Sequence, residues 1–219
     1  MTRFNQCLKS TFLYACLRNF EVKRRGPKEL ATWEDTGHPV PPPHLVKQRA
    51  LLEYAKRYGL RVLVETGTYY GDMVAAMKTH FDRIYSIELS AALYKLDVRR
   101  FRGERNIALI EGDSGVEIDK IINELKTPAL FWLDGHYSGG NTARGEKESP
   151  ISEELHAVLS QGVKHVILID DARDFGFSPA YPTIEELSEL VKAKREDFSV
   201  RVKNGIIRIA PNDGYSPAY

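Results

Sequence analysis

The sequence predicts an α/β fold with a mostly parallel sheet that closes in an antiparallel hairpin at its C-terminal end. Short, mostly apolar runs alternate with helical segments five times, which is typical of βαβ units in a sheet buried on both faces. The dipeptide Asn204-Gly205 separates the last two apolar runs. It predicts a hairpin because Asn-Gly readily adopts the positive φ angles of a type I′ turn.

The alternation begins after a helix predicted for residues 44–58, which Gly59 ends as a C-terminal glycine. Five strands are predicted at residues 61–65, 83–89, 107–111, 129–133 and 165–169. Helices are predicted at residues 72–80, 91–101, 116–125, 152–159 and 183–195. Residues 199–203 and 206–210 form the hairpin, so the expected sheet has seven strands.

Residues 1–43 are predicted to be a helical extension followed by a proline-rich linker, and residues 44–219 to be the main domain. Apolar residues at helical spacing in the extension are Phe4, Leu8, Phe12, Cys16 and Phe20. The linker is expected over residues 26–44, because Pro41-Pro42-Pro43 cannot be helical. We expect the helix to pack on the main domain or on a second subunit, which would make a homo-oligomer. The alternative is a basic helix that contacts acidic lipid or nucleic acid.

The overall composition limits the classes of protein. The 219 residues carry a net charge of +1, and 42% of them are hydrophobic, which argues against disorder and against a dedicated nucleic-acid binder. Two cysteines, Cys7 and Cys16, cannot build a disulfide framework or a cysteine-rich zinc site. We therefore expect a reducing, cytoplasmic location. No apolar run approaches the length of about 20 residues that a membrane span needs.

A ligand site is predicted where the first strand ends. Residues 65–71 (ETGTYYG) form a glycine-rich turn at the carboxyl edge of the sheet, where open α/β folds bind ligands. Gly67 permits a tight turn, and Gly71 lets the next helix pack close to the strand. Glu65 suits a ligand with a cationic amine. The pattern G-x-G-x-x-G is missing, which argues against a nicotinamide oxidoreductase.

Two further acids follow the second and third strands. Glu88 lies roughly 20 residues beyond the turn, where an acid can accept hydrogen bonds from both hydroxyls of a ribose. Asp113 either accepts from an adenine amino group or caps the next helix, since aspartate is a preferred N-cap. These positions predict a nucleoside-containing ligand.

The fourth and fifth strands are followed by three carboxylates, Asp134, Asp170 and Asp171. Like charges in one cleft need a cation, and hard oxygen ligands suit Mg²⁺. We therefore predict a magnesium site. The alternative is that Asp170 or Asp171 caps a turn and is solvated. His136 is a candidate general base, because the pKa of histidine lies near physiological pH.

Over residues 60–210 the sequence resembles class I S-adenosylmethionine (SAM)-dependent methyltransferases. The turn ETGTYYG is similar to the E-x-G-T-x-x-G motif of small-molecule O-methyltransferases of the catechol and caffeoyl-CoA type. Paired aspartates after the fifth strand are similar to those of macrolide and aminocoumarin sugar O-methyltransferases. The resemblance implies a Rossmann-like SAM methyltransferase fold. It also implies SAM binding by Glu65, Gly67, Thr68, Gly71, Glu88, Asp113 and Ser114.

The activity implied is methyl transfer from SAM to a hydroxyl of a small molecule, such as a sugar or natural product, with Mg²⁺ held by Asp134, Asp170 and Asp171. Asp134 or His136 would accept the proton. Three alternatives remain: a metal-independent enzyme with His136 as base, a non-catalytic module that binds SAM or a nucleoside, and RNA methylation with the basic N-terminus as a docking arm. Nucleic acid is not the expected partner.

Overall fold

The computed structural model describes residues 12–134, 150–177 and 181–212. In chain order its elements are α1 (Phe12–Asp35), α2 (His44–Tyr58), β1 (Val62–Thr66), α3 (Asp72–Met77), β2 (Arg83–Glu88), α4 (Ala91–Arg100), β3 (Ile107–Glu111), α5 (Ser114–Glu124), β4 (Leu130–Leu133), α6 (Ile151–Leu159), β5 (Val166–Ile169), α7 (Ile184–Lys194), β6 (Phe198–Lys203) and β7 (Ile206–Pro211). A short 3-10 turn, Ala172–Asp174, follows β5.

The seven strands form one sheet in the order β3-β2-β1-β4-β5-β7-β6. Strands β1 to β5 are parallel, and β7 runs antiparallel to both β5 and β6. At the turn between β6 and β7, Asn204 and Gly205 have φ angles of 53° and 70°, as a type I′ turn requires. The predicted mostly parallel sheet with a terminal hairpin is confirmed.

Both faces of the sheet are covered by helices, so the central strands are buried throughout. Every residue of β4 and β5 is buried. Because side chains alternate along a strand, Phe131 packs into the cluster that α5, α6 and α7 cover, whereas Trp132 packs into the cluster under α2 and α3. This two-sided burial explains why the strand sequences are continuous apolar runs rather than alternating ones.

The order of the strands reverses between β1 and β4. From β1 the chain proceeds outward to β2 and β3, and it then returns to place β4 on the other side of β1. The connections on the two sides lie on opposite faces of such a sheet, which leaves a crevice at the carboxyl ends of β1 and β4. The glycine-rich turn after β1 and Asp134 after β4 both lie at this crevice.

Helix α1 extends further than the sequence predicted. It continues through Gly26 and Pro27 to Asp35, so the segment between α1 and α2 is residues 36–43 rather than the linker expected from residue 26. Leu30 and Trp33 pack with Val46 of α2, and this burial offsets the backbone hydrogen bond that Pro27 cannot donate. Phe20, part of the predicted apolar stripe, is 67% exposed. The apolar contact with α2 therefore lies near the C-terminal end of α1, at Leu30 and Trp33.

None of the described helices has both the length and the apolar character needed to cross a bilayer.

Candidate active site

The glycine-rich turn is held against β2 by its own backbone. The N–H groups of Gly67 and Thr68 both donate to the carbonyl of Ile87, at 3.0 and 3.1 Å. Gly71 has φ 70° and precedes α3. A Cβ at Gly71 would lie 2.6 Å from Cε2 of Phe101 and 2.8 Å from Oδ1 of Asp97, so a side chain does not fit there. The close approach at Gly71 is therefore to Asp97 and Phe101 at the end of α4, and the predicted packing of α3 against β1 stays a prediction.

The Glu88 carboxylate lies directly beside this turn. Its Oε2 accepts from the backbone N–H of Tyr69 at 2.7 Å, and its Oε1 accepts from that of Ser90 at 2.8 Å. Burial raises the pKa of Glu88, although these two hydrogen bonds act in the opposite direction. Each carboxylate oxygen can accept a second hydrogen bond. The structure thus brings Glu88 and the turn together, and two ribose hydroxyls would suit the remaining acceptor positions.

Glu65 lies under the turn rather than at its surface. It is 2% exposed, and the hydroxyl of Ser86 donates to its Oε2 at 2.5 Å. Thr68 Oγ1 lies 2.7 Å from the same Ser86 hydroxyl, which ties the predicted ligand residue Thr68 to the strand below. Burial raises the pKa of Glu65 well above its ordinary value, and the nearby charge of Asp134 adds to this shift. A cationic group bound nearby would favour the charged form of Glu65.

Asp113 caps α5. Its Oδ1 accepts from the backbone N–H of Gly115 at 2.9 Å, which is the capping alternative that the sequence left open. Ser114, the first residue of α5, is buried. Because Glu88 and Glu111 are paired in register, β2 and β3 end side by side, and Asp113 follows two residues later. Its role toward an adenine remains a prediction.

Asp134 and Asp170 follow neighbouring strands, as predicted. Asp134 donates its N–H to the carbonyl of Thr66 at 3.1 Å, and Asp170 donates its N–H to that of Leu133 at 3.0 Å. Asp134 therefore directly adjoins the residue that precedes Gly67. Asp170 is 1% exposed, and its Oδ2 accepts a hydrogen bond from the ammonium group of Lys47.

The predicted metal site does not fit this arrangement. The described residues, which include Asp134, Asp170 and Asp171, contain no group of three His, Cys, Asp or Glu side chains placed to hold a metal ion. Asp171 pairs instead with Arg173, with 3.4 Å between charged atoms. The cation beside Asp170 is Lys47, whose pKa is raised because the attraction of Asp170 and Asp134 outweighs the effect of its burial.

Lys47 and His44 are the candidate site residues that the sequence analysis missed. They lie three residues apart in the first turn of α2, and so on the same helix face. His44 Nδ1 lies 2.7 Å from Gln48 Nε2, and burial lowers the pKa of His44. The sequence feature that could have indicated these two residues is their i, i+3 spacing directly after Pro43. His136, the predicted base, lies outside the described residues.

Helix α1 reaches the start of α3 beside the glycine-rich turn. Arg18 pairs with Asp72 at 2.7 Å, and its guanidinium lies 4.4 Å from the ring centre of Tyr70. Arg100 also contacts Asp72, at 3.0 Å from its Oδ1. Burial acts to raise the pKa of Asp72, but the two arginines lower it below its usual value. The N-terminal extension therefore contacts the start of α3 next to the glycine-rich turn.

The comparisons with known proteins agree with this arrangement at the level of the fold. No protein-family model matches the sequence, and no curated protein matches it either. The solved structure of the O-methyltransferase TomG from Streptomyces achromogenes, in complex with SAM, matches with a TM-score of 0.55 and 14% identity, over 85% of this chain and 89% of that one.

Two further structures broaden the comparison. An O-methyltransferase from Bacillus cereus, in complex with SAH, has a TM-score of 0.55 and 15% identity, over 85% of this chain and 90% of that one. A putative rRNA-methylase from Clostridium thermocellum has a TM-score of 0.53 and 12% identity, over 74% of this chain and 96% of that one. At these identities the likeness concerns the fold. The chain has the Rossmann-like fold of class I SAM-dependent methyltransferases.

Proposed function

We propose that this protein is a SAM-dependent methyltransferase. The observation that carries the proposal is the position of Glu88, whose carboxylate adjoins the glycine-rich turn at the carboxyl edge of β1 and β2. An acid at the end of the second strand is suited to ribose hydroxyls, and a glycine-rich turn after the first strand admits a ligand close to the backbone. Gly67, Thr68, Gly71 and Ser114 would line the same site.

The acceptor we propose is a hydroxyl group of a small molecule. Asp134 and Asp170 lie beyond the turn on the β4 and β5 side, where the acceptor must approach the methyl group. TomG and the Bacillus cereus protein, both named as O-methyltransferases, have the same fold, which is consistent with an oxygen acceptor.

Methyl transfer from a sulfonium is a displacement by an oxygen nucleophile aligned with the bond that breaks, so it depends on holding two reactants in one geometry. The chain itself offers candidates for each task. Glu88 and the turn would fix the donor, Asp134 would accept the hydroxyl proton, and the pair of Lys47 and Asp170 would contact the acceptor. His136 is the alternative proton acceptor.

Two other functions make different predictions. A non-catalytic module would bind SAM or a nucleoside without consuming it. An RNA methyltransferase would need a basic surface, and a putative rRNA-methylase shares this fold. Basic residues of α1 could contact RNA, but Arg18 among them already pairs with Asp72. We therefore favour the small-molecule acceptor.

Native mass spectrometry of the purified protein tests the proposal first. We expect co-purified SAM or S-adenosylhomocysteine, or binding of added SAM with a 1:1 stoichiometry. Tritiated SAM is then incubated with a small-molecule extract and, separately, with total RNA, and the labelled fraction is identified. Label in the extract supports the proposal, label in RNA would replace it with RNA methylation, and SAM binding without transfer to either would favour the non-catalytic module. A folded protein that binds no SAM would refute it.

A further inference from the structure

The acceptor side of the site contains a cation that belongs to the chain itself. Lys47, in the first turn of α2, donates a hydrogen bond to Oδ2 of Asp170 at the end of β5. We propose that the Lys47 ammonium takes the place of a divalent metal ion and binds the acceptor hydroxyl. This inference rests on the proposed function, and it makes Lys47 a candidate catalytic residue.

The ion pair places the Lys47 ammonium, a hydrogen-bond donor, next to Oδ1 of Asp170, a hydrogen-bond acceptor. An ammonium has three N–H groups, of which Lys47 uses one for Asp170. Oδ1 of Asp170 is buried and makes no hydrogen bond within the described part of the chain. A hydroxyl both accepts and donates hydrogen bonds, so one hydroxyl can satisfy both groups. A carboxylate or phosphate acceptor could not donate to Oδ1. The pair therefore favours a neutral alcohol or phenol.

The pair also lies near the proposed methyl donor. Asp134, which adjoins Thr66 at the base of the glycine-rich turn, lies close enough to influence both Glu65 under the turn and Lys47 in α2. Leu133 and Ile169 are paired in register, so Asp134 and Asp170 leave the sheet next to each other. A hydroxyl held by Lys47 would therefore lie at the same edge of the sheet as a ligand in the turn.

Burial of the pair opposes metal binding at Asp170. The side chain of Lys47 is 18% exposed and that of Asp170 is 1% exposed. A divalent ion bound to Asp170 would have to displace the ammonium group, and separating a buried ion pair is strongly unfavourable. Replacing Lys47 by an uncharged residue removes this obstacle and leaves the carboxylates without a cation. The variant should then attract a divalent ion.

The transfer step balances without a metal. The acceptor oxygen forms a bond to the methyl carbon, the bond from that carbon to sulfur breaks, and the electron pair stays on sulfur to give S-adenosylhomocysteine. The hydroxyl proton passes to Asp134, the proton acceptor of the proposed function. Lys47 stabilises the negative charge on the oxygen as that proton departs, and a fixed donor in a site sheltered from water is effective in this role.

Binding of Mn²⁺, followed by electron paramagnetic resonance, tests the inference without an acceptor. We expect wild-type protein to leave the signal of free Mn²⁺ unchanged. The dissociation constant of Lys47→Met for Mn²⁺ should be lower than that of wild type by about tenfold or more. The double variant with Asp170→Asn should lose this gain. Lys56→Met removes an exposed ammonium from the same helix and should behave as wild type. Stoichiometric Mn²⁺ binding by the wild type that Asp170→Asn abolishes would overturn the inference, even if Lys47→Met fails to fold.

Calorimetry with SAM separates this inference from the proposed function. SAM binding by the wild type in the presence of EDTA, together with the Mn²⁺ results above, supports both. No SAM binding refutes the proposed function, whereas SAM binding that needs Mn²⁺ refutes only the role of Lys47. With an acceptor recovered from the labelled extract, Lys47→Met should lower kcat on the order of 100-fold at unchanged SAM affinity. Wild-type kcat equal to that of Lys47→Met would refute the catalytic role.

Discussion

Glu88 accepts a hydrogen bond from the backbone N–H of Tyr69 at 2.7 Å, which couples the end of β2 to the glycine-rich turn. Tyr69 has φ 54°, a left-handed conformation that is uncommon for a residue other than glycine. Such a conformation costs of order 1–3 kcal/mol and persists only where the surroundings hold it. The same carboxylate thus stabilises the shape of the turn and, in the proposed function, binds the ribose.

Glu88→Ala should weaken SAM binding severely. The variant loses two ribose hydrogen bonds to a charged acceptor, at a cost of about 3 kcal/mol or more, and it frees the Tyr69 N–H. That corresponds to a decrease in affinity of roughly 100-fold or more, measured by calorimetry. Glu111→Ala is the matched control, because Glu111 is paired with Glu88 in register but is exposed. Equal SAM affinity in wild type and Glu88→Ala would remove the ribose assignment.

Gly71→Ala should destabilise the protein more than Gly103→Ala does. Both glycines have positive φ, so alanine is strained at either position, at a cost of about 1 kcal/mol or more. Only at Gly71 would the new Cβ also meet Phe101 and Asp97, whereas at Gly103 it meets nothing within 4 Å. The added overpacking should cost about 1–3 kcal/mol in the free energy of unfolding. Urea denaturation of both variants gives the comparison, and equal losses would contradict the crowding seen at Gly71.

A chain that begins at His44 should still bind SAM. The glycine-rich turn, Glu88 and the sheet are all built from later residues, so the proposed donor site remains complete. The truncated protein should melt at a lower temperature, because it loses the contact of Leu30 and Trp33 with Val46 and the ion pair of Arg18 with Asp72. Thermal unfolding and calorimetry measure the two effects. A truncated protein that folds but binds no SAM would make the extension part of the donor site.

Asp97→Asn should change how stability depends on pH. Burial raises the pKa of Asp97 to about 8, and the charges of Glu88 and Asp72 add to this although Arg100 opposes it. Between pH 4 and pH 8 the unfolded chain therefore releases a proton that the folded protein keeps, so this group lowers stability as pH rises. The asparagine variant lacks this loss.

The free energy of unfolding of Asp97→Asn relative to that of wild type should rise by up to about 1.4 kcal/mol per pH unit between pH 4 and pH 8. Above pH 8 this difference should stay constant. Chemical denaturation at several pH values measures the difference. Asp119→Asn, at an exposed position of α5, is the control and should show no such trend. A difference between Asp97→Asn and wild type that is constant across this range would show that Asp97 is ionised in the folded protein.

Local patterns in the sequence were enough to predict most of the fold. Apolar runs, helical spacing and glycine positions act over a few residues, so β1 to β5, the Asn204-Gly205 turn and the approach of Glu88 to residues 65–71 were all predicted correctly. Parallel strands bring their carboxyl ends to one edge, which also placed Asp134 and Asp170 together.

Tertiary structure decided the features that depend on partners far away in the chain. Lys47 and Asp170 are 123 residues apart, and no periodicity in α2 indicates which of its charged side chains faces the end of β5. The three carboxylates called for a positive charge, and the structure places the ammonium of Lys47 beside Asp170. Helix α1 likewise continues past Pro27 because Leu30 and Trp33 find a packing partner in Val46. Local sequence sets what each segment can form, whereas burial and charge pairing between distant segments select the contacts that are made.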